Sequence, residues 1–170
     1  MGQFHSKVKK RMKTFDFDYD NLSGISLMYA IPISSFYSCI KDPIQQTYQL
    51  QLGAAVNIID IPVYSDDSFS FSESQSVEDG GDLWNVSVSG IIPKRCQLTE
   101  SLMNILERGE WLVLHRDANG TIVLSGTTDV PLKFTHARTT GSTGDMNGSQ
   151  FTFSAKEPSP SVVISSLPTV

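Results

Sequence analysis

Cysteine is scarce in this chain of 170 residues, and long apolar runs are missing from it. The two cysteines, Cys39 and Cys96, lie far apart and outside any CxxC or Cys/His spacing, so we predict neither a disulfide framework nor a zinc site. No stretch approaches the roughly 18 consecutive apolar residues of a membrane span, and the N-terminus lacks the apolar core of a secretory signal. We therefore expect a soluble chain that is not exported by that route.

Residue patterns that support catalysis are also few. The histidines are His5, His115 and His136, and the sequence contains no GxSxG, GxGxxG or GxxxxGK[ST] motif. A histidine at a strand end, such as His115, is usually structural or exposed. The grouped carboxylates fall in predicted loops, where solvated clusters are typical: Asp66-Asp67, Glu78-Asp79 and Asp82. We predict that the chain is not an enzyme and that it holds no metal and no cofactor.

The net charge of −5 conceals two regions of opposite sign. Residues 1–13 contain five basic residues and no acidic one, which leaves eight basic against 18 acidic residues in the rest of the chain. The basic residues of this arm are Lys7, Lys9, Lys10, Arg11 and Lys13. The length and the 39% hydrophobic content suit one core. We predict an N-terminal arm at 1–21, a single β domain at 22–157 and a peripheral C-terminal tail at 158–170.

Alternation of apolar and polar residues predicts several short β-strands. The segments YQLQLG (48–53), SFSFSES (68–74) and LWNVSVSGII (83–92) each place apolar side chains on one face, and we expect the last to be a central strand. Pro32 and Pro62 lie inside other apolar runs. Because proline cannot donate to a ladder, those strands are expected at a sheet edge or at a bulge. Free edges are also where partner chains add.

One helix is predicted, over about residues 98–108. Thr99 suits its start, and Gly109 supplies a left-handed residue to end it. The apolar stripe consists of Leu98, Leu102, Ile105 and Leu106. A helix this short needs a sheet to pack on.

Turn residues organise the C-terminal half. In EWLVLHRDANGTIVLSGT (110–127), Asn119-Gly120 suits the type I′ turn of a hairpin. A glycine-containing loop at 139–149 follows the next strand, and three prolines make 157–170 typical of a peripheral tail. The expected fold is mostly β: an antiparallel β-sandwich or barrel with one short α-helix and extended terminal arms.

The basic arm admits several interpretations. MGQFHS fits the pattern for N-myristoylation, and a basic run supplies the second signal that stable membrane attachment needs. Five charges without interleaved aromatics are few for nucleic acid, and the acidic body would repel a polyanion. The arm could instead lie along the acidic face of a neighbouring copy.

The order of motifs in the C-terminal half carries a resemblance. A short helix is followed by WLVL (111–114), the DANG hairpin (117–120), PLKF (131–134), TTGS (139–142) and NGSQFTFS (147–154). From about Leu98 to Pro158 this order resembles small structural proteins of tailed phages and prophages of Bacteroidetes, including crAss-like phages, and a weaker similarity extends over Ile25–Pro93. The resemblance implies a virion component of the tail, neck or baseplate that assembles in the host cytoplasm as a homo-oligomeric ring with other virion proteins.

In such a ring, arms and loops clasp neighbouring subunits, and DNA passing through the channel contacts the wall only passively. The resemblance implies intersubunit contacts from the basic arm and from Gly141, Gly144, Asn147 and Gly148 of the loop. Two alternatives stay open: a membrane-associated adaptor anchored by an N-terminal acyl group and the basic run, or a ligand- or carbohydrate-binding β-sandwich. For the second, Trp84 and Trp111 are candidate stacking platforms, although their apolar surroundings favour core packing.

Overall fold

A computed structural model of the protein describes residues 22–53, 57–64, 68–78, 81–94, 96–139 and 147–168. Most of these residues lie in β-strands, and one ten-residue α-helix interrupts them. The elements are β1 Ile25–Pro32, β2 Phe36–Lys41, β3 Tyr48–Leu52, β4 Ile59–Asp60, β5 Phe69–Glu78, β6 Gly81–Pro93, α1 Gln97–Leu106, β7 Trp111–Asp117, β8 Ile122–Ser125, β9 Lys133–Thr139, β10 Gly148–Glu157 and β11 Val162–Ile164.

The strands form two sheets. The seven-stranded sheet has the order β2-β3-β11-β8-β7-β1-β4, and the four-stranded sheet has the order β5-β6-β10-β9. Every named pairing is antiparallel except that of β11 with β3. The predicted fold class is confirmed: the described residues form a mostly β, sandwich-like pair of sheets with a single helix and no closed barrel.

Strict alternation builds the four-stranded sheet. Register places one aromatic-rich row across all four strands on the face that meets the other sheet: Phe71, Val88, Phe153 and Phe134. The adjacent row on this inner face contains Phe69, Gly90 and Phe151. A Cβ on Gly90 would lie 2.8 Å from both phenyl rings, so glycine lets the two rings meet edge to face at 5.5 Å. As predicted, β6 is a central strand.

A second core extends across the seven-stranded sheet. It includes Ile31 of β1 and Leu50 of β3, which three strands separate in the sheet. Buried side chains of the intervening strands β7, β8 and β11 connect them. Leu112 and Leu114 of β7 face this second cluster, whereas Trp111 and Val113 face the first. Strand β7 therefore divides the two cores and is buried on both sides.

Helix α1 differs from the predicted helix in its start and its buried face. Cys96 is the N-cap, and Thr99 lies three residues later, where its hydroxyl accepts from the Cys96 N–H at 2.9 Å. This capping box turns Thr99 inward together with Met103 and Leu106. The predicted stripe is wrong for Leu98, which is 81% exposed, and for Ile105, which is also exposed.

Gly109 ends the helix for a reason that differs from the predicted one. Its φ angle is not positive. A Cβ on Gly109 would instead overlap the indole ring of Trp111, which covers the helix end and donates from Nε1 to the Leu106 carbonyl at 2.8 Å. The requirement for glycine comes from packing against Trp111. Trp111 is 3% exposed, so its role is in the core.

The hairpin between β7 and β8 is also built differently from the predicted type I′ turn. Only Gly120 has a positive φ, of 91°, and Asn119 does not. Asp117 holds the turn, because its carbonyl accepts from Gly120 N–H at 3.1 Å and its carboxylate from Thr121 N–H at 2.7 Å. This arrangement is a type I turn followed by a left-handed glycine. The Asn119 amide binds the backbone of Leu22, donating at 3.0 Å and accepting at 2.8 Å.

The two prolines behave differently. Pro62 lies two residues after β4, the edge strand of the seven-stranded sheet, as expected. Pro32 belongs to β1, which is an interior strand, and the register shift in β1 lies near Ile25 at its other end. The expectation of an edge or bulge at Pro32 is therefore wrong. Pro32 is tolerated because β4 pairs only with Tyr29 and Ala30, so no partner strand needs its missing N–H.

The C-terminal segment is not the peripheral tail that the prolines predict. Val162–Ile164 forms β11 and lies between β8 and β3 in the seven-stranded sheet. Ile164 is 3% exposed and belongs to the second core, whereas its neighbour Val163 is 42% exposed. The last two residues, Thr169 and Val170, lie outside the described residues. Prolines precede and follow the strand without entering it. They therefore mark the limits of the strand and do not indicate a peripheral tail.

We predict that Ile164→Ala lowers the free energy of unfolding by about 2–4 kcal/mol, because it removes buried methyl groups and leaves a cavity. Val163→Ala on the same strand is the matched control and should cost less than about 1 kcal/mol. Urea unfolding followed by tryptophan fluorescence measures both. Equal effects of the two substitutions would mean that β11 is peripheral after all.

Candidate functional site

No group of three or more histidine, cysteine, aspartate or glutamate side chains is placed to hold a metal ion in the described part of the chain. The same residues contain no helix that is long and apolar enough to cross a bilayer. Surfaces and cavities are therefore the features from which a functional site can be built.

The predicted contact residues fall into two groups. The five basic arm residues, with Gly141 and Gly144, lie outside the described residues. Asn147 and Gly148 lie at the start of β10, where the Asn147 carbonyl accepts from Lys94 N–H at 2.8 Å. A Cβ on Gly148 would lie 2.7 Å from the Ile92 carbonyl oxygen, so this glycine permits close strand pairing. These two residues have a structural account, and their predicted contact with a neighbour stays a prediction.

The four-stranded sheet ends in two edge strands, β5 and β9. Among the described residues, no further strand pairs with the outer side of either. Strand β5 is ten residues long, contains neither lysine nor proline, and pairs with β6 without a register shift. Charged side chains, proline and bulges are the features that usually prevent an edge from pairing with another chain, and of these β5 has only the charges of Glu73 and Glu78. The outer side of β5 is thus open to a partner strand.

Hydroxyl groups cover the outer face of this sheet. One row crosses all four strands in register, with Ser70 and Ser89 hydrogen bonded at 2.9 Å, and consists of Ser70, Ser89, Thr152 and Thr135. The next row consists of Ser72, Ser87, Ser154 and Lys133. Towards the β5–β6 turn, Lys156 pairs with Glu78 at 3.1 Å. Apart from Lys133 at the β9 edge, the middle of the face is therefore uncharged and polar.

Helix α1 and the residue after it hold β9 in place by contacting the inward side chains of that strand. Arg138 lies 3.0 Å from Glu100, and the Nδ1 atom of His136 lies 3.4 Å from a carboxylate oxygen of Glu107. The His136 contact lacks the geometry of a hydrogen bond. Both pairs anchor the inner side of β9 to the helix and leave its edge free. The helix thus supports this edge strand from within the sandwich.

A different kind of surface lies at the edge of the seven-stranded sheet. Tyr37 and Ile40 of β2 and Ile44 of the following turn are all exposed. These three large apolar side chains lie within eight residues of one another in the chain, and we call them the β2 patch. Exposed apolar groups that cluster on a surface are typical of contact sites.

A groove of about 530 Å³ opens where β5, β7 and the start of β1 meet. His115 lies in its wall, on the inward face of β7, and is 2% exposed. Burial lowers the pKa of His115 to about 4, and the nearby Asp117 opposes this shift. Within the described residues, the Nδ1 atom of His115 has no hydrogen-bond partner. His115 therefore forms no nucleophile–base pair through this nitrogen with the serines that share the groove.

A second buried titratable group lies at the end of β10. Glu157 is 1% exposed and lines a separate cavity of about 160 Å³ together with Cys39 and Tyr48. Burial raises the pKa of Glu157 to about 7, the Gly126 N–H donated to its carboxylate at 3.0 Å lowers it, and neighbouring Glu73 raises it. The pKa of Cys39 is also raised by burial.

Sequence reasoning missed the buried states of His115 and Glu157. The only signal for His115 was its place in the alternation, two residues after the inward Val113, which puts both on one face of a strand. Glu157 gave a weaker signal, since it precedes Pro158 and resembles a loop residue. Its burial depends on how the chain crosses from one sheet to the other.

No family model matches the chain, and no curated protein or solved structure is significantly similar to it. The resemblance to phage structural proteins thus depends on the motifs between about Leu98 and Pro158 and on the weaker similarity over Ile25–Pro93.

We predict that the Glu157 carboxyl makes stability pH dependent. Its pKa is raised in the folded state, so the stabilisation is fully present below about pH 4.5, the unfolded value, and is lost as the pH rises through about 7. Glu157→Gln keeps the acceptor for Gly126 N–H and cannot ionise. The free energy of unfolding of this variant minus that of the wild type should be larger at pH 8 than at pH 5. We expect a change of roughly 1–2 kcal/mol in this difference once solvent screening is taken into account.

The measurement is chemical unfolding of both proteins from pH 5 to pH 8. Glu110→Gln, at an exposed glutamate, is the matched control and should follow the wild type throughout. A stability difference between Glu157→Gln and the wild type that does not change with pH would contradict the prediction.

Proposed function

We propose that the chain is a non-enzymatic structural subunit of a bacteriophage or phage-like particle, a tail, neck or baseplate component that acts by assembling into a ring. The observation that supports this proposal is the pair of open edges on one four-stranded antiparallel sheet. A sheet with free edges can continue from one copy of the chain into the next.

Strand direction favours a head-to-tail contact between the two edges. Because the four strands alternate in direction, β5 and β9 run oppositely. If copies lie in the same orientation, β5 of one meets β9 of the next in the antiparallel sense that the sheet already has. Such a contact uses two different surfaces of each copy, and a contact of that kind closes into a ring when the rotation between copies permits it.

The open β5 edge also favours an assembled state in which a strand of another copy covers it. A ten-residue edge whose only protective features are Glu73 and Glu78 is an aggregation hazard in a protein that remains a monomer. Assembly would remove this hazard by pairing the edge. At the other edge, contacts with α1 hold the inward side chains of β9 in place. A partner strand would therefore bind an edge that is already ordered.

The hydroxyl face suits a channel wall that DNA passes. Serine and threonine hydroxyls present no fixed charge to phosphate groups, and strong DNA binding depends on neutralising phosphates with clustered cations. Lys156, near the β5–β6 turn, is already paired with Glu78, and Lys133 at the β9 edge is a single cation and not a cluster. A ring with this face towards its channel would therefore contact DNA only passively.

The β2 patch provides a surface for a different partner. It lies on the other sheet, so a protein bound there would not compete with pairing between β5 and β9. Other structural proteins of the particle are the partners that we propose for it.

We predict that a proline at the free side of β5 abolishes ring formation without unfolding the domain. At adjacent positions of an edge strand, one N–H faces the neighbouring strand and the other faces outward. Of Ser74→Pro and Gln75→Pro, one should lose a β6 hydrogen bond and roughly 3 kcal/mol of stability. The other should melt like the wild type and lose at least about tenfold in ring population, which corresponds to about 1.4 kcal/mol.

Electron microscopy and mass photometry of the purified protein, alone and co-expressed with proteins encoded beside it, measure assembly. The matched control is the pair Cys39→Pro and Ile40→Pro on β2, whose stable member should still form rings. A wild-type protein that stays monomeric under every condition would overturn the proposal. So would a stably folded β5 variant that assembles like the wild type, while a population of dimers alone would favour a β5–β5 contact over a ring.

A further inference from the structure

The groove beside His115 contains a buried polar atom that the fold does not use. His115 is 2% exposed, and its ring packs against Phe71 with the ring centroids 4.6 Å apart. The Nδ1 atom has no hydrogen-bond partner among the described residues. A buried polar group without a partner costs about 1–3 kcal/mol, and an aliphatic side chain in its place would avoid that cost. Such a group needs an explanation, and an ordered water or a small molecule in the adjoining groove would supply the missing partner.

The walls of the groove define what it could bind. Phe69, Phe71, Ile25 and Val123 provide apolar and aromatic surface along its length. Asp117, two residues beyond His115 on the same side of the strand, is the one charged side chain among the lining residues. The volume of about 530 Å³ is in the range of sites for small organic molecules.

Charge and aromatic surface together favour a cation. A carboxylate in a partly enclosed groove attracts positive charge more strongly than it would in open solvent. The face of a phenyl ring adds a further attraction for an ammonium group. Since the Asp117 carboxylate already accepts from Thr121 N–H, it is held in place before any ligand arrives.

Hydrogen bonds also hold the mouth of the groove in place. The Asn119 amide binds both backbone groups of Leu22, and Ala118 N–H donates to the Gly24 carbonyl at 3.1 Å. These contacts fix the chain before β1 against the β7–β8 turn, and both segments line the groove. A site whose walls are already ordered loses little entropy on binding.

We propose that this groove binds a small organic ammonium compound, with the ammonium group near Asp117, the apolar body against Phe71, and a polar group within reach of His115. This activity goes beyond the proposed structural function and does not depend on ring assembly.

The test uses the full chain, labelled with ¹⁵N, and three probes of similar shape. These are 2-phenylethylamine as the cation, 2-phenylethanol as the neutral analogue and 3-phenylpropionate as the anion. We expect the amine to shift the imidazole signals of His115 and the amide signal of Val123. Its affinity should exceed that of the alcohol about tenfold, which corresponds to about 1.4 kcal/mol, and the anion should not bind.

Two substitutions separate recognition from structure. Asp117→Asn retains an acceptor for Thr121 N–H and removes the charge, so it should abolish the preference for the amine over the alcohol. Asp129→Asn, in the exposed turn after β8, is the matched control and should leave that preference unchanged. His115→Leu should melt at a higher temperature than the wild type and should bind the amine at least about fivefold more weakly.

His115→Gln keeps a polar group at the position and covers the case in which the leucine variant does not fold; it should bind with intermediate affinity. The proposal is overturned if the amine causes no shifts at about 10 mM, a concentration above typical weak dissociation constants. It is also overturned if amine and alcohol bind equally, or if Asp117→Asn or His115→Leu leaves binding unchanged. Ring formation by these variants, measured in parallel, reports on the structural proposal separately.

Discussion

The alternation of side chains in the four-stranded sheet is the constraint on which the rest of the structure depends. Phenyl rings from three of its strands pack on the inner face, and hydroxyl groups in the same registers lie on the outer face. A slip by one residue would put Phe71 and Phe153 in water and serines in the core. Burial of the rings therefore fixes the register, and the register fixes which strands form the edges and which groups form the outer surface.

Trp111 connects this sheet to the rest of the domain. Its indole donates to the end of α1, and its backbone exchanges two hydrogen bonds with Leu132, just before β9. Its strand also pairs with β1 as far as Pro32. One residue thus joins the helix, the edge strand of one sheet and an inner strand of the other. The position of the β9 edge is a consequence of core packing around this tryptophan.

The sequence predicted those elements whose formation is local. The strands around Leu50, Phe71 and Val88 have a two-residue pattern that any half-buried strand shows, and the structure has them on the predicted faces. The helix was predicted within two residues of its observed ends, but its buried face was not. The rotation of a short helix depends on which side chain meets Trp111, and on Thr99 turning inward to satisfy a backbone N–H.

Features that depend on distant pairing were not predictable in the same way. β11 has only three residues between prolines, and its burial follows from a gap between β8 and β3 that no local pattern reveals. The groove beside His115 also depends on contacts between residues that are distant in the chain. Its walls come from residues near 22, 70, 115 and 123, which belong to strands of both sheets and to the segment before β1.

The two buried titratable groups act on stability in opposite directions. His115 has a lowered pKa, so its neutral form contributes stability that is fully present above about pH 6.5 and is lost as the pH falls through about 4. Glu157 has a raised pKa, and its contribution is lost as the pH rises through about 7. Between about pH 4 and pH 7 both side chains are uncharged, so neither places a charge in the interior. Above that interval Glu157 ionises close to Glu73, which accepts from Ser161 N–H at 2.7 Å. Repulsion between the two carboxylates then acts where the chain leaves β10 for β11, so the crossing between the sheets is the part of the fold that alkaline pH strains first.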